Sequence, residues 1–223
     1  MNQPKVIEVH ESVFGPNSKE ADSLRTELKK TGTFLLNVRS SPGAGKTTLL
    51  ISLINRRKKK YSIGVREADI DSSIDAISVS EKSGCESLQV HTGGRCHLDA
   101  DRTKEARDSL EGKHFDFLIL ENVGNLVCPA EFDTGACYNR ALLSLPEGDD
   151  KPEKYPLMFQ KADLVVITKR DTKDYFDFSY ENAEKWIKER NPKSVIRKIS
   201  AKTGEGRDEL AKFREEKIER WKR

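Results

Sequence analysis

A chain of 223 residues, with 35 % charged and 35 % hydrophobic side chains and a net charge of +3, is long enough to close one full α/β core. The near-balanced charge leaves no footprint of a nucleic-acid binder: the one basic run, Arg56-Arg57-Lys58-Lys59-Lys60, closes a predicted helix, where cations favour the C-terminal dipole as a solvated end. No stretch reaches the apolar length of a membrane span and Met1-Asn2-Gln3-Pro4 starts no signal-peptide pattern, so the expected location is cytoplasmic. The four cysteines, Cys85, Cys96, Cys128 and Cys137, are too few and too scattered for a disulfide framework, which leaves free thiols or metal ligands.

Residues 1–16 carry a short apolar segment, Val6 to Val9, then Phe14-Gly15-Pro16, and read as an arm that docks on the domain or on a partner. Asn17 or Ser18 is placed to cap a helix through Ala21, Leu24 and Leu28 to the stop signal Thr31-Gly32. That helix is expected to cover one sheet edge. Residues 1–30 thus form an arm and helix packed on a nucleotide-binding domain of residues 31–223.

The apolar run Phe34 to Val38 empties into Ser40-Ser41-Pro42-Gly43-Ala44-Gly45 and then Lys46-Thr47-Thr48, the order of strand, phosphate-binding loop and helix in a P-loop domain. Gly43 and Gly45 let backbone N–H groups turn inward around phosphate oxygens, and the free amides of the first helical turn, from Ala44 to Thr48, add donors and a favourable dipole. Lys46 reaches the β and γ phosphates, and the Thr47 hydroxyl takes a place on Mg²⁺. Ser40 stands where the motif expects its first glycine, so that position must tolerate a Cβ.

The helix from Thr47 turns Leu49, Leu50, Leu53 and Ile54 to one face, suited to a parallel sheet. Strands are expected at Ile63 to Val65, Leu88 to Val90, Phe115 to Leu120, Ala141 to Leu145, Leu164 to Thr168 and Val195 to Ile199. Helices are expected around Ile74, Ile77 and Val79, then at Asp99 to Leu110, Tyr180 to Arg190 with Trp186 and Ile187 inward, and Gly206 to Trp221. The acidic stretch Pro146 to Lys154, rich in Gly, Pro and Asp, is expected to be the mobile loop of the core. The alternation predicts an α/β fold with a mostly parallel central sheet covered on both faces, and ligands at the C-terminal strand ends.

Asp69 and Glu121 emerge at strand ends, where either carboxylate can hold Mg²⁺ directly or through water. Asp75 is the candidate for orienting the attacking water. With Lys46 and Glu121 it completes the catalytic set. Thr168-Lys169-Arg170-Asp171 is similar to the guanine motif N-K-x-D: the Asp171 carboxylate can accept from two donors that adenine does not offer, and the Lys169 stem can lie along the base. Ser200-Ala201-Lys202 matches the loop whose amide meets the guanine oxygen. Thr168 is expected to lose both the base contact and the tie between loops that an asparagine amide makes. Cys96-His97 and Cys128 follow strand ends, and thiolate with imidazole suits Ni²⁺ or Zn²⁺. With two or three ligands per chain, a four-coordinate site is reached most simply across a two-fold axis with a second copy.

Three segments together resemble the HypB family, GTPases that help deliver nickel during maturation of nickel-iron hydrogenases. They are Ser40 to Leu50, Thr92-Gly93-Gly94-Arg95-Cys96-His97-Leu98-Asp99-Ala100, and Glu121-Asn122-Val123-Gly124-Asn125-Leu126-Val127-Cys128-Pro129, followed by Glu131-Phe132-Asp133. The resemblance implies a SIMIBI-type GTPase and a homodimer promoted by GTP. It also implies a nickel or zinc site at the interface using Cys96, His97 and Cys128, and work alongside a second maturation protein and the hydrogenase large subunit. Ser40 falls within that family's habit. This chain departs at Ala68, where the family reads E-G-D, at Thr168, and in residues 1–30, which hold no cysteine and only His10. Nickel handling is therefore expected at the interface site alone. A slow guanine-nucleotide switch that docks on a maturation protein is the alternative from another class, and a small-metabolite kinase is the third.

Overall fold

The computed structural model describes residues 14–69, 74–91, 97–109 and 113–223. Seven strands, β1 Phe34–Arg39, β2 Ile63–Asp69, β3 Glu86–His91, β4 Phe117–Glu121, β5 Tyr138–Ser144, β6 Leu164–Thr168 and β7 Val195–Lys198, form one sheet in the order β3-β2-β4-β1-β5-β6-β7. Every neighbouring pair is parallel. β1 is the central strand, and all six of its residues are buried. A parallel sheet buried on both sides calls for near-continuous apolar strands, and LVVIT of β6 and FLILE of β4 answer that demand.

The helices divide between the two faces. On one, α2 Lys46–Arg57 sets Leu49, Leu50, Leu53 and Ile54 against Leu36, Val38 and Ile119, with Val79 of α3 Ile74–Ser83 and Leu210 and Ile218 of α9 Arg207–Lys222 beside them. On the other, α1 Phe14–Thr31 and α4 Ala100–Asp108 cover Leu35, Leu118 and Leu120. Next to them α5 Cys128–Glu131, α7 Pro156–Gln160 and α8 Tyr180–Arg190 cover Leu143, Val165 and Ile167.

Four details differ from the expectation. First, α1 begins at Phe14, so Asn17 lies within it instead of capping it, and the helix covers the middle of a face, while the sheet edges are β3 and β7. Secondly, the acidic stretch is folded: Leu145–Glu147 makes a 3-10 turn whose Ser144 N–H and hydroxyl both donate to the Glu147 carboxylate, and α6 Lys151–Lys154 follows. Thirdly, the basic run, solvent-facing as expected, also pairs with α9: Arg56 meets Asp208 while Arg57 and Lys60 meet Glu215. Finally, Trp186 is only half-buried, whereas Ile187 is fully inside.

One polar line crosses the interior. Asn37 of β1 donates to the Asn139 side chain of β5 at 3.1 Å and accepts from the Asn122 side chain, just past β4, at 3.4 Å. All the strands that carry these groups end at the same edge, and the loops beyond that edge build the site.

Candidate functional site

The phosphate loop turns on two left-handed glycines, Gly43 at φ +73° and Gly45 at φ +90°. A Cβ at either would meet open space, so it is the backbone conformation that demands glycine there. Ser40, in the position where the motif has its first glycine, is fully buried and its hydroxyl has a use. It donates to the Ser41 carbonyl at 2.6 Å and accepts from the Lys46 ammonium at 2.9 Å. Gly45 caps α2, so the first-turn amides of α2 face the loop.

Thr47 and Glu121 come together, the hydroxyl donating to the carboxylate at 3.4 Å. In register beside Glu121 stands Glu67 of β2, also buried. These side chains, with Lys46, line a cavity of about 640 Å³ that reaches Ser78 and Lys82 of α3 and is also lined by Asn122, Val123 and Gly124. Hydroxyl and carboxylate oxygens are hard donors, so the set fits Mg²⁺. Among the described residues, no three His, Cys, Asp or Glu side chains converge on a metal position. Asp69 ends β2 and Asp75 lies in the first turn of α3, and the positions of their side chains fall outside the described residues.

Glu67 is the residue that sequence reasoning passed over. It lies two residues before Asp69 in the same strand, and a carboxylate in a strand that runs toward the phosphate loop's edge of the sheet was the available signal.

The segment expected to recognise the base meets the phosphate loop at Thr168. The Thr168 hydroxyl donates to the Ala44 carbonyl at 2.8 Å, with both residues buried. The expected loss of the tie between loops is thereby corrected: the shorter side chain reaches the phosphate loop because β6 ends immediately behind Ala44. Lys169 adopts φ +58° and ψ +37°, the only described non-glycine residue with positive φ, and this bend starts the 3-10 turn Arg170–Tyr175. The Ser200 hydroxyl donates to the Asp171 carboxylate, and the Thr203 amide donates back to Ser200 Oγ at 3.0 Å. Ala201 follows Ser200, half-buried, and Arg170 with Glu205 closes the flank by an ion pair of 3.0 Å.

Of the three soft-metal candidates, Cys96 lies outside the described residues. The His97 ring stacks on Phe132, centroids 3.7 Å apart and planes 6° off parallel. Cys128 opens α5, half-buried, and accepts from the Asn125 side-chain amide at 3.8 Å. The stacking brings His97 beside the segment that begins with Cys128.

Three further residues hold that segment in place, by contacts that span 80 residues or more and that no local pattern reveals. Buried Arg39, the last residue of β1, donates to the carbonyls of Pro129 at 3.1 Å and Lys161 at 3.2 Å. Burial holds its guanidinium down at about 10. Arg25 of α1 donates to the Ala136 carbonyl at 3.1 Å and pairs with Asp133. Burial raises the Asp133 carboxyl, but the Arg25 hydrogen bond and the Gly135 amide outweigh it and leave it below the ordinary range. Asn17 of α1 donates to the Asp133 carbonyl at 3.1 Å and accepts from the Ala100 amide at 3.0 Å.

Comparison with known proteins points the same way. The family described as CobW/HypB/UreG, nucleotide-binding domain, matches residues 34–197. The hydrogenase maturation factor HypB of Azotobacter chroococcum is 39 % identical over 94 % of this chain and 68 % of its own length. Crystallised HypB from Helicobacter pylori, in complex with nickel, superposes with a TM-score of 0.86 at 37 % identity, over 92 % of this chain and 96 % of that one. HypB from Archaeoglobus fulgidus gives 0.84 at 33 % identity, over 92 % and 100 %. The mostly parallel sheet with helices on both faces is the P-loop architecture of the SIMIBI class, and the chain belongs to the HypB family within the CobW/HypB/UreG nucleotide-binding domains.

Proposed function

We propose that this chain is a GTP-hydrolysing metallochaperone that carries nickel, or zinc in its place, at a site shared by two copies and assists nickel insertion into nickel-iron hydrogenase. The observation that supports the reading is the hydrogen bond from Thr168 to Ala44, which ties the start of the expected guanine loop to the phosphate loop. Asp171, held by Ser200, accepts from the two guanine donors, Lys169 covers the base, and the amide of Ala201 meets its oxygen.

The amides of the loop from Gly43 to Thr48 cradle the phosphates, and Lys46 swings from Ser40 to the β and γ oxygens, where charge develops as the γ phosphoryl transfers to water. Thr47, Asp69 and Glu121 would hold Mg²⁺, which when bound neutralises phosphate charge. Asp75 orients the attacking water. The cargo ligands are Cys96 and His97 of each copy, with Cys128 joining them, and the family resemblance supports a second maturation protein and the hydrogenase large subunit as recipients.

The test is paired. GTP turnover with Mg²⁺ is expected in the wild type and is lost in Lys46→Ala. Nickel uptake is expected to fall in Cys96→Ala while GTP binding persists. A wild type that binds no guanine nucleotide refutes the enzymatic half, and unchanged nickel stoichiometry in Cys96→Ala refutes the metal half.

A further inference from the structure

We propose that Asn17 of α1 is a positioning residue for the soft-metal site, holding together from behind the two segments that carry His97 and Cys128. The inference rests on the nickel reading of those residues and adds to it the device that fixes their spacing.

The geometry is specific to an asparagine. Its amide nitrogen donates to the Asp133 carbonyl at 3.1 Å and its oxygen accepts from the Ala100 amide at 3.0 Å, so one side chain bridges points 33 residues apart in the chain. Asp133 adjoins Phe132, on which the His97 ring stacks, and Ala100 lies three residues past His97. The residue is 8 % exposed, which limits competition by water for these bonds.

Ala100 is the first residue of α4, whose own N-cap, Asp99, serves the Arg102 amide. The Ala100 amide is one of the orphan donors of a helix start, and Asn17 satisfies it from another element. On the same helix Arg25 takes the Asp133 carboxylate and the Ala136 carbonyl, so α1 grips the 133–136 segment at two places. The His97–Phe132 stack is therefore set by α1, a helix that contributes no ligand. Groups that orient metal ligands without touching the ion change affinity by about 10- to 100-fold when removed.

The experiment uses the full chain and compares wild type, Asn17→Ala, Asn17→Asp and Cys96→Ala. Ni²⁺ is titrated calorimetrically and by the thiolate-to-nickel absorption band, with GDP affinity and thermal midpoint measured in parallel. Asn17→Ala is expected to weaken Ni²⁺ about tenfold or more and to move the absorption band, while GDP affinity stays within twofold. Asn17→Asp, nearly isosteric, keeps the acceptor for Ala100 and loses the donor to Asp133, so it is expected to fall between the two.

Nickel affinity and band unchanged in both Asn17 variants overturn the proposal. So does a parallel loss of nickel and GDP binding with a collapsed midpoint, which marks Asn17 as a helix cap and nothing more. If instead the wild type titrates like Cys96→Ala, the metal site itself is absent, a result visible before any Asn17 variant is considered.

Discussion

Replacing Thr168 by valine removes one hydroxyl and little else: the shape, the β-branch and the strand preference are kept. The lost group is the donor at 2.8 Å to the Ala44 carbonyl, at a position 3 % exposed where water cannot replace it. A buried hydrogen bond of this kind contributes about 1 kcal/mol net, and stranding its acceptor costs roughly 1–3 kcal/mol. For a domain of this size that range lowers Tm by roughly 2–12 °C. If about half of it maintains the two loops in the arrangement that binds nucleotide, GDP affinity falls by roughly two- to tenfold. Urea unfolding and titration with a fluorescent GDP analogue measure the two effects, and Thr168→Ser, which keeps the hydroxyl, serves as the reference. Valine and wild type agreeing within about 0.5 kcal/mol and twofold in affinity would refute the claim that this contact joins the loops.

Two further predictions concern the walls of the site. Gly124→Ala adds a Cβ that meets Pro42 of the phosphate loop at 3.2–3.4 Å, so the loop must give way. Over-packing of this kind costs about 1–3 kcal/mol, and GDP affinity is expected to drop before Tm does; equal affinity would show that the loop shifts freely. Asp133→Asn removes a carboxylate held below its ordinary value against the opposing effect of burial by Arg25 and the Gly135 amide. Because the folded value is depressed, the stabilisation is present above the unfolded value near 3.8 and disappears as pH falls through the folded one. The variant is therefore expected to be less stable than wild type at pH 7 and to converge with it under acid. A gap between the two that is constant with pH would refute the pairing.

The fold was legible because its signals are local. A buried parallel sheet writes itself as apolar runs such as LVVIT and FLILE, and the Gly43 and Gly45 turn announces the phosphate loop. The order of strands, with β1 between β4 and β5, is written nowhere in a single segment. What was misread depends on approach in space. The tie that Thr168 makes was missed because its hydroxyl finds a carbonyl 124 residues away, a length of reach that side-chain chemistry alone does not reveal. The basic run at 56–60 is solvent-facing as its composition suggests, but its pairing with Asp208 and Glu215 of α9 was not readable from it. Arg25 and Arg39 looked like ordinary polar residues and Asn17 like a helix cap, and their importance exists only where loops converge on them. Short helices such as α5, α6 and α7 are held by their neighbours, α6 and α7 by α8 and α5 by α7, more than by their own four or five residues, too few for a periodic pattern.

The three asparagines that join hands across β4, β1 and β5 have a consequence for how the chain finds its fold. β1 is inserted between neighbours that come much later in synthesis, so it waits with both edges unsatisfied and could dock one residue out of phase. Such a slip would carry Asn37 to the opposite, greasy side and press Leu36 or Val38 against the amides of Asn122 and Asn139. The amide row thus acts as a key in a lock, rejecting misthreaded assemblies before the phosphate loop, which begins one residue after β1, is ever formed.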